Sequence, residues 1–228
     1  MVAEESKTSS SRRKKGRLDA VGGERPKGRK NAKKRRPLDK TSMRDLALSY
    51  VARFSTTGAK LEAYLARKLR ERGTGEDAEG RTIDLDVQGL VAEFVERGYV
   101  DDDAYARSKS RDLTARGYGA RRVEQALWAA GVEENLRNEH VPGEMESRNA
   151  AALMARKRRF GPYGAPLEED ADRSELHKKR EKQVAAMLRA GHRYEHATFI
   201  LDAAAIEEIE EWLAVAEAEE ADRETDTW

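Results

Sequence analysis

Two short stretches contain residues whose types could perform chemistry. Residues 101–103 are three consecutive aspartates within ERGYVDDDAYAR, and residues 192–196 read HRYEH, which fits the H-x-x-E-H pattern of one class of zinc proteases. Carboxylates are ligands for hard cations, and two histidines on one helical face can bind zinc. Each stretch can be a metal site or a structural element, and the surrounding elements distinguish the two.

The aspartates are best explained as the start of a helix. If Gly98 ends the preceding helix and Asp101 is the next N-cap, then Asp102 and Asp103 fall in the first turn, where carboxylates complement the helix macrodipole. Consecutive helical residues point about 100° apart, so the three carboxylates diverge where a metal needs them to converge. We therefore predict a capped helix without a bound metal, with two flanking residues as its hydrophobic staple: Val100 and Tyr105.

The histidine stretch directly follows Gly191, which is a predicted helix end. The next helix would then begin inside the motif, and the two histidines would not share one helical face. GYGARR at 117–122 lacks the third glycine or the G-K-[ST] of a phosphate loop, and the chain has no Cys nucleophile. We predict that the protein is not an enzyme and has no cofactor and no small-molecule substrate. The alternative is a zinc enzyme, which would contain stoichiometric zinc when purified.

The elements that position these residues are helices. Apolar residues recur at helical spacing from residue 41 onward, and no segment alternates with a period of two over a strand's length. We predict a capping box from Ser42 to Asp45 and an N-cap at Thr57. Two apolar stripes are predicted, one that runs from Met43 to Phe54 and one that includes Val95. The apolar faces of Leu90, Phe94, Tyr105 and Leu127 are predicted to be core.

One signature, a large apolar residue followed four positions later by Gly, organises the chain. It occurs as LRERG (69–73), FVERG (94–98), LTARG (113–117), LWAAG (127–131) and MLRAG (187–191). Each Gly suits the left-handed position that ends a helix. Short helices of this kind must stack to bury their apolar faces. We predict an all-α fold of three tandem three-helix units, at 41–98, 99–141 and 142–202.

The charge distribution adds two unusual termini. Residues 1–40 contain 15 Lys and Arg against 5 Asp and Glu, whereas residues 203–228 contain 1 against 10. The first segment has few large apolar residues and is predicted to be a disordered basic arm that could contact DNA phosphates; the last is predicted to be an acidic helix or tail. The absence of Cys suits a reducing compartment, and no apolar run could span a membrane, so we expect a cytoplasmic protein without membrane partners.

The middle of the chain resembles the RecX family of recombinase regulators. The family pattern of its second unit is present in these residues: Gly98, Tyr99, Val100, Asp101, Asp102, Tyr105, Ala106, Gly117, Gly119, Arg121, Arg122, Leu127 and Gly131. Segments 151–163 and 180–201 resemble the third unit, so the resemblance covers about 47–201. The first unit departs from the pattern at Phe54, where a basic residue is common, and His192 stands where an aromatic is commoner.

The resemblance implies a binding protein rather than a catalyst. RecX-like proteins are tandem three-helix repeats in an elongated, curved module that binds RecA filaments on DNA, suppresses their ATPase and strand exchange, and favours filament loss. The expected partners are a RecA-type recombinase filament and, more weakly, single- or double-stranded DNA through the basic arm and clusters. The alternative is a helical protein that binds DNA directly without recombinase specificity.

Candidate contact residues are basic. Arg116, Arg121 and Arg122 flank GYG at a predicted helix start, where the dipole disfavours cations, so a structural role explains them poorly. A second cluster comprises Arg156, Lys157, Arg158 and Arg159, and a third comprises Lys178, Lys179, Arg180 and Lys182. We expect the first two clusters to face the nucleoprotein filament. The simpler alternative is that these are solvated helix faces paired with the many glutamates.

Overall fold

The fold is all-α, as predicted. The computed structural model describes residues 36–165 and 172–225. In these ranges the helices are α1 (Lys40–Val51), α2 (Gly58–Arg72), α3 (Val87–Glu96), α4 (Asp102–Ala115), α5 (Ala120–Trp128), α6 (Glu134–His140), α7 (Glu144–Arg158), α8 (Arg173–Arg189), α9 (Tyr194–Asp202) and α10 (Ile206–Thr225), with a short 3-10 helix at Gly161–Tyr163 between α7 and α8.

Helices α1 to α3 enclose the first core. Its buried members are Leu38, Met43, Ala47, Leu61, Leu65, Leu85, Val91, Phe94 and Val100. A bidentate ion pair joins α1 to α3, with the guanidinium nitrogens of Arg44 at 2.8 and 2.9 Å from the carboxylate oxygens of Glu93. Val95 and Phe54, both placed on apolar stripes by their spacing, are 47% and 55% exposed, so the stripe prediction is wrong for these two positions.

The start of α1 differs from the predicted capping box. Asp39 is the N-cap: its carboxylate accepts from the amide of Ser42 at 2.7 Å, and its own amide donates to the Ser42 hydroxyl at 2.9 Å. The box therefore runs from Asp39 to Ser42, and the prediction of a box from Ser42 to Asp45 is wrong. The reason lies in Leu38, which is fully buried in the first core and fixes the chain one turn earlier. The rest of the predicted basic arm, residues 1–35, lies outside the described residues.

Helices α4 to α6 enclose the second core, and α7 to α10 enclose the third. The second core consists of Ala106, Leu113, Val123, Leu127, Ala130 and Val132. The third consists of Ala151, Ala152, Met154, Ala155, Met187, Ala190, Ala197, Ile200 and Ile209. Five of these nine residues are alanine, and aromatic rings pack against the core from its margins: Tyr118, Phe160, Tyr163, Phe199 and Trp212.

Helix α10 is more than an acidic tail. Ile209 is fully buried, Ala216 is buried, and Trp212 and Leu213 pack against the third core. Arg148 of α7 places its guanidinium 4.7 Å from the Trp212 ring centroid and donates to the Trp212 carbonyl at 3.0 Å. The apolar residues lie on one helical stripe within the acidic run, which fixes one face of α10 and leaves the glutamates on the other.

The recurring glycine signature ends four helices in the same way. Residues after the glycine donate an amide hydrogen bond to the carbonyl of the large apolar residue five positions earlier, at 2.9 to 3.1 Å: Tyr99 to Phe94, Tyr118 to Leu113, Val132 to Leu127, and His192 to Met187. The intervening glycines have positive φ angles: Gly98, Gly117, Gly131 and Gly191. This is the Schellman motif, so the prediction of glycine-ended helices is confirmed.

Helix α7 ends with the same motif but without glycine. The Phe160 amide donates to the Ala155 carbonyl at 2.9 Å, and the left-handed residue between them is Arg159, at φ 57°. Among the described residues Arg159 is the one non-glycine residue with positive φ. No helix within 36–165 and 172–225 is long and apolar enough to cross a membrane.

Candidate interaction surface

The aspartate triplet begins α4, as predicted, but each carboxylate has a different task. Asp101 is the N-cap and accepts from the Ala104 amide at 2.8 Å. Asp102 accepts from the Gly58 amide of the preceding unit at 2.9 Å. Asp103 accepts from His140 of α6 at 2.6 Å and also pairs with Arg107. The three side chains therefore diverge, and two of them join separate parts of the chain.

The neighbours of the triplet belong to different cores. Val100 is buried in the first core, whereas Tyr105 packs against the second and accepts a 2.5 Å hydrogen bond from the Lys60 ammonium. The two residues thus contact different cores, and their pairing as a staple stays a prediction. Tyr99 is half exposed and packs edge-on against Phe94.

The pKa shifts of Asp102 and Asp103 have opposite directions. Partial burial raises the pKa of Asp102, an effect that the Gly58 hydrogen bond partly offsets. Hydrogen bonds, first from His140 and then from Arg107, lower the pKa of Asp103. Asp103, Glu139 and His140 are the one group of potential metal ligands whose donor atoms lie within 4.8 Å of one another in the described ranges. Within this group the Asp103 carboxylate is hydrogen-bonded to His140 and paired with Arg107.

The first junction joins the α1–α2 turn to the second unit through side chains. The Thr57 hydroxyl donates to the Ala130 carbonyl at 2.5 Å, while the Asp102 carboxylate accepts from Gly58. Thr57 also caps α2, as predicted, by accepting from the Lys60 amide at 3.2 Å. A Cβ on Gly131 would lie 2.3 Å from the Cβ of Ala59, so the two turns are in tight contact.

The second junction joins the α4–α5 turn to the α8–α9 turn through backbone. The Gly119 amide donates to the Ala190 carbonyl at 3.0 Å, and the Arg121 amide donates to the Gly191 carbonyl at 3.2 Å. A Cβ on Gly119 would lie 2.4 Å from the carbonyl carbon of Gly191, and one on Gly191 would lie 2.4 Å from the Arg122 amide nitrogen. Gly119 has an ordinary φ of −80°, so close approach, not conformation, explains its presence.

The histidines of HRYEH belong to this junction. Helix α9 begins at Tyr194, inside the motif, as predicted. His192 is 1% exposed and its Nε2 lies 3.1 Å from the Gly117 carbonyl oxygen, while the His196 Nε2 lies 3.0 Å from the Glu144 carboxylate. Burial lowers the pKa of His192 to about 4, despite the opposing hydrogen bond to Gly117. Burial likewise lowers the pKa of His196.

The second basic cluster lies beside Arg116 of the first. The Lys157 ammonium lies 3.4 Å from the Arg116 carbonyl oxygen, which brings the end of α7 beside the end of α4. Arg116 also lies over the Tyr118 ring at 5.6 Å and 3.5 Å from Asp112. All seven side chains are exposed: Arg116, Arg121, Arg122, Arg156, Lys157, Arg158 and Arg159.

The chemistry of these cations differs along the surface. Arg156, Lys157 and Arg158 lie in the last turn of α7, where cations complement the dipole. Arg121 and Arg122 lie in the first turn of α5, where they oppose it. No described residue forms an ion pair with either of them. Their positions cost stability, and their charge is available to a polyanionic or acidic partner.

Sequence reasoning missed the contacts that join the units. Nothing local marks Thr57 as a donor to Ala130 or Asp102 as an acceptor from Gly58, because both bonds span more than 40 residues. The sequence does contain a pattern that indicates the packing of α10. Its apolar residues follow helical spacing within the acidic run: Ile209, Trp212, Leu213 and Ala216.

This architecture defines an all-α protein of tandem three-helix units, and the comparisons agree with it. The family model for the second three-helix domain of RecX matches residues 101–140, which contain the Asp101 cap and helices α4 to α6. Regulatory protein RecX from Myxococcus xanthus (strain DK1622) is 29% identical over 187 residues, covering 81% of this chain and 97% of the relative.

Two further comparisons extend this result. Regulatory protein RecX from Thermus thermophilus is 31% identical over 106 residues, covering 44% of this chain and 73% of the relative. The crystal structure of RecX from Lactobacillus salivarius has the same fold, with a TM-score of 0.51 at 16% identity over 71% of this chain and 96% of that one. The chain belongs to the RecX family of regulatory proteins.

Proposed function

We propose that this protein binds RecA-type recombinase filaments on DNA in the cytoplasm and inhibits their ATPase, strand exchange and persistence. Membership of the RecX family supports the proposal. The observation that contributes most from the structure is that Lys157 of the second basic cluster lies beside Arg116 of the first, with 3.4 Å between the ammonium and the Arg116 carbonyl oxygen. A nucleoprotein filament offers acidic and phosphate groups over a long surface, which suits an extended basic face.

The cations of this face that lack described partners are the proposed contacts. Arg121 and Arg122 remain at a helix start despite an unfavourable dipole, which a purely structural role does not explain. Several contacts spaced along a repeat protein would engage successive recombinase subunits, and such multivalent binding would raise the apparent affinity. Attraction between exposed charges would make the interaction weaken with salt.

The test is ATP turnover by the cognate recombinase on single-stranded DNA, titrated with this protein. The combined substitution Arg121→Ala, Arg122→Ala, Arg158→Ala and Arg159→Ala should raise the half-inhibitory concentration by roughly tenfold at low salt, with a smaller difference at high salt. Helicity from circular dichroism establishes that the variant is folded.

A matched control removes four exposed cations of the first unit that lie outside the basic arm: Arg53, Arg67, Arg70 and Arg81. It produces the same change in net charge and should leave inhibition unchanged. Equal weakening in both variants would show that net charge alone governs the effect. Unchanged inhibition by the Arg121/Arg122/Arg158/Arg159 variant would exclude this surface, and no inhibition by the unaltered protein would refute the proposed function.

A further inference from the structure

Two grooves flank α8, and both are lined by cations of the third basic cluster. A groove of about 410 Å³ is lined by Phe160, Glu175, Lys178, Lys179, Lys182 and Gln183. A second, of about 710 Å³, shares Lys179 and Gln183 and has Arg159 on its wall. Lys179 therefore lies between the lysine-lined groove and Arg159 at the end of α7.

The lysines form one stripe that has no structural partner. Lys182 stands four residues after Lys178 and three after Lys179, so the three lie within about 100° of one another on one side of α8. None of the three forms an ion pair or hydrogen bond with a described residue. Arg180 differs from them: its guanidinium lies 2.5 and 2.6 Å from the Asp202 carboxylate and joins α8 to α9. The cation that stabilises the fold is thus separate from the three that face the groove.

An aromatic ring also lines this groove. Phe160 is half-buried, with part of its side chain against the third core and part lining the groove with the three lysines. Aromatic rings beside cations suit nucleic acid, because the ring stacks on an unpaired base while the ammonium groups contact the phosphates. A peptide rich in carboxylates would use the lysines but would have no need of the ring.

Arg159 occupies a backbone position that favours glycine. The four equivalent helix ends have Gly98, Gly117, Gly131 and Gly191, whereas α7 has an arginine at φ 57°. Left-handed backbone is unfavourable for a side chain that has a Cβ, and such outliers concentrate where a side chain is needed. Arg159 has no described ion-pair partner, and it lines the groove that adjoins Lys179.

We propose that the two adjoining grooves form one binding site for single-stranded nucleic acid. Lys178, Lys179, Lys182 and Phe160 line the first groove, and Arg159 lines the second. The cations contact successive phosphates, and the Phe160 ring stacks on one base. A duplex is disfavoured because its bases are already stacked. The site shares Arg159 with the surface proposed above, but its ligand is the nucleic acid alone, so binding is tested without the recombinase.

The first test is fluorescence anisotropy of a labelled oligothymidylate with the full chain over a series of salt concentrations. Removing one phosphate-binding cation should reduce the slope of log affinity against log salt by about 0.7 for a single strand. Combined Lys178→Ala, Lys179→Ala and Lys182→Ala should therefore reduce the slope by about 2. The control, Arg53→Ala, Arg67→Ala and Arg70→Ala, removes the same charge from exposed positions outside the basic arm and should leave the slope near its original value; equal reductions in both would overturn the site.

The second test addresses the ring. Phe160→Leu should weaken oligothymidylate binding by about fivefold or more, because stacking on an aromatic contributes roughly 1–3 kcal/mol per base. Phe160→Tyr keeps the ring and should retain the affinity. Binding of inorganic polyphosphate, which has no bases, should be equal in all three proteins. An equal loss for both ligands in Phe160→Leu, or no loss for oligothymidylate, would contradict base stacking.

The third test separates the Arg159 side chain from its backbone. Arg159→Gly should weaken oligothymidylate binding while it raises the melting temperature, since glycine relieves the left-handed strain. A protein that becomes more stable but binds less tightly is still folded, so its weaker binding reflects the missing guanidinium. Unchanged affinity in Arg159→Gly would remove Arg159 from the site.

Discussion

The two junctions between successive helical units are built from glycine-containing turns but are held together by different groups. At the first, side chains make the bonds: the Thr57 hydroxyl to the Ala130 carbonyl, and the Asp102 carboxylate to the Gly58 amide. At the second, backbone amides bond directly to backbone carbonyls, and a buried histidine completes the contact. A substitution can remove or shorten a side chain that makes a bond, whereas no substitution shortens the backbone.

This difference determines how each junction responds to mutation and to pH. The second junction requires glycine on both sides, because the Gly119 and Gly191 backbones are in contact. It also buries His192, which must stay neutral. The first junction has a partly buried carboxylate, Asp102, whose pKa is raised by burial. A fall in pH should therefore destabilise the second junction, because it favours the charged form of His192. It should favour the first junction, because it neutralises the partly buried carboxylate of Asp102.

The largest expected effect is that of Gly119→Ala at the second junction. The new Cβ would lie 2.4 Å from the carbonyl carbon and oxygen of Gly191, and no neighbouring side chain can be shortened to make room. Urea denaturation should show a loss of about 4 kcal/mol, or failure to fold. Gly143→Ala, whose Cβ meets nothing within 4 Å, should lose less than about 1 kcal/mol. A small loss in Gly119→Ala would mean that the junction opens readily.

The next effect is acid sensitivity from His192. Its pKa is about 4 in the folded protein against 6.5 in the unfolded chain, so the unfolded state binds the proton more readily and stability falls as pH drops from 6.5 towards 4. The loss should reach roughly 3 kcal/mol by pH 4. His196, also buried and with a lowered pKa, acts in the same direction beside Glu144.

The measurement is the free energy of unfolding from pH 7.5 to pH 4.5. His192→Gln keeps a donor for the Gly117 carbonyl and should flatten most of this slope. His177→Gln, at an exposed histidine paired with Glu181, should leave the slope intact. If the unaltered protein and His192→Gln follow the same curve, the acid response arises elsewhere.

The helices and their ends could be predicted from the sequence, whereas the contacts at the two junctions could not. Four glycine-ended helices, the Asp101 cap and the start of α9 follow from local patterns, because a Schellman end or an N-cap is determined within about six residues. The junctions depend on residues more than 40 positions apart. Gly117 and Gly119 show the limit: both stand in one motif, yet Gly117 has φ 88° while Gly119 has φ −80° and is required by Gly191.

The sequence predicted which basic residues form the candidate surface, but not how they are arranged in space. The basic clusters are visible as charge runs, but their meeting at Lys157 and Arg116 depends on the packing of α7 against α4. The misplaced capping box at α1 and the unforeseen packing of α10 share a cause. Leu38 lies beside a strongly basic segment and Ile209 lies within an acidic one, so the charge around each residue concealed an apolar anchor that is fully buried.

A smaller effect is expected at the first junction, where a side chain can be trimmed. Gly131→Ala combines a φ of 74° with a Cβ only 2.3 Å from that of Ala59, and should cost about 2–3 kcal/mol. Adding Ala59→Gly removes the clash and should recover about half of the loss, leaving the backbone strain. The same Ala59→Gly change should not rescue Gly119→Ala. A double-mutant cycle with no coupling between positions 59 and 131 would show that the first junction is not closely packed.

The smallest effect tests whether the helix ends of the units are equivalent. Gly98 has φ 72° and open space around its Cβ position, so Gly98→Ala should report left-handed strain alone, a loss of about 1 kcal/mol. Arg159→Gly removes the corresponding strain at the end of α7 and should gain roughly 0.5–1 kcal/mol, since the relief of strain exceeds the added entropy of the unfolded chain. Opposite shifts in thermal unfolding would establish that Arg159 occupies a glycine position against its conformational preference. A loss of stability in Arg159→Gly would instead show that its side chain stabilises the fold, and would remove the strain argument for a functional arginine.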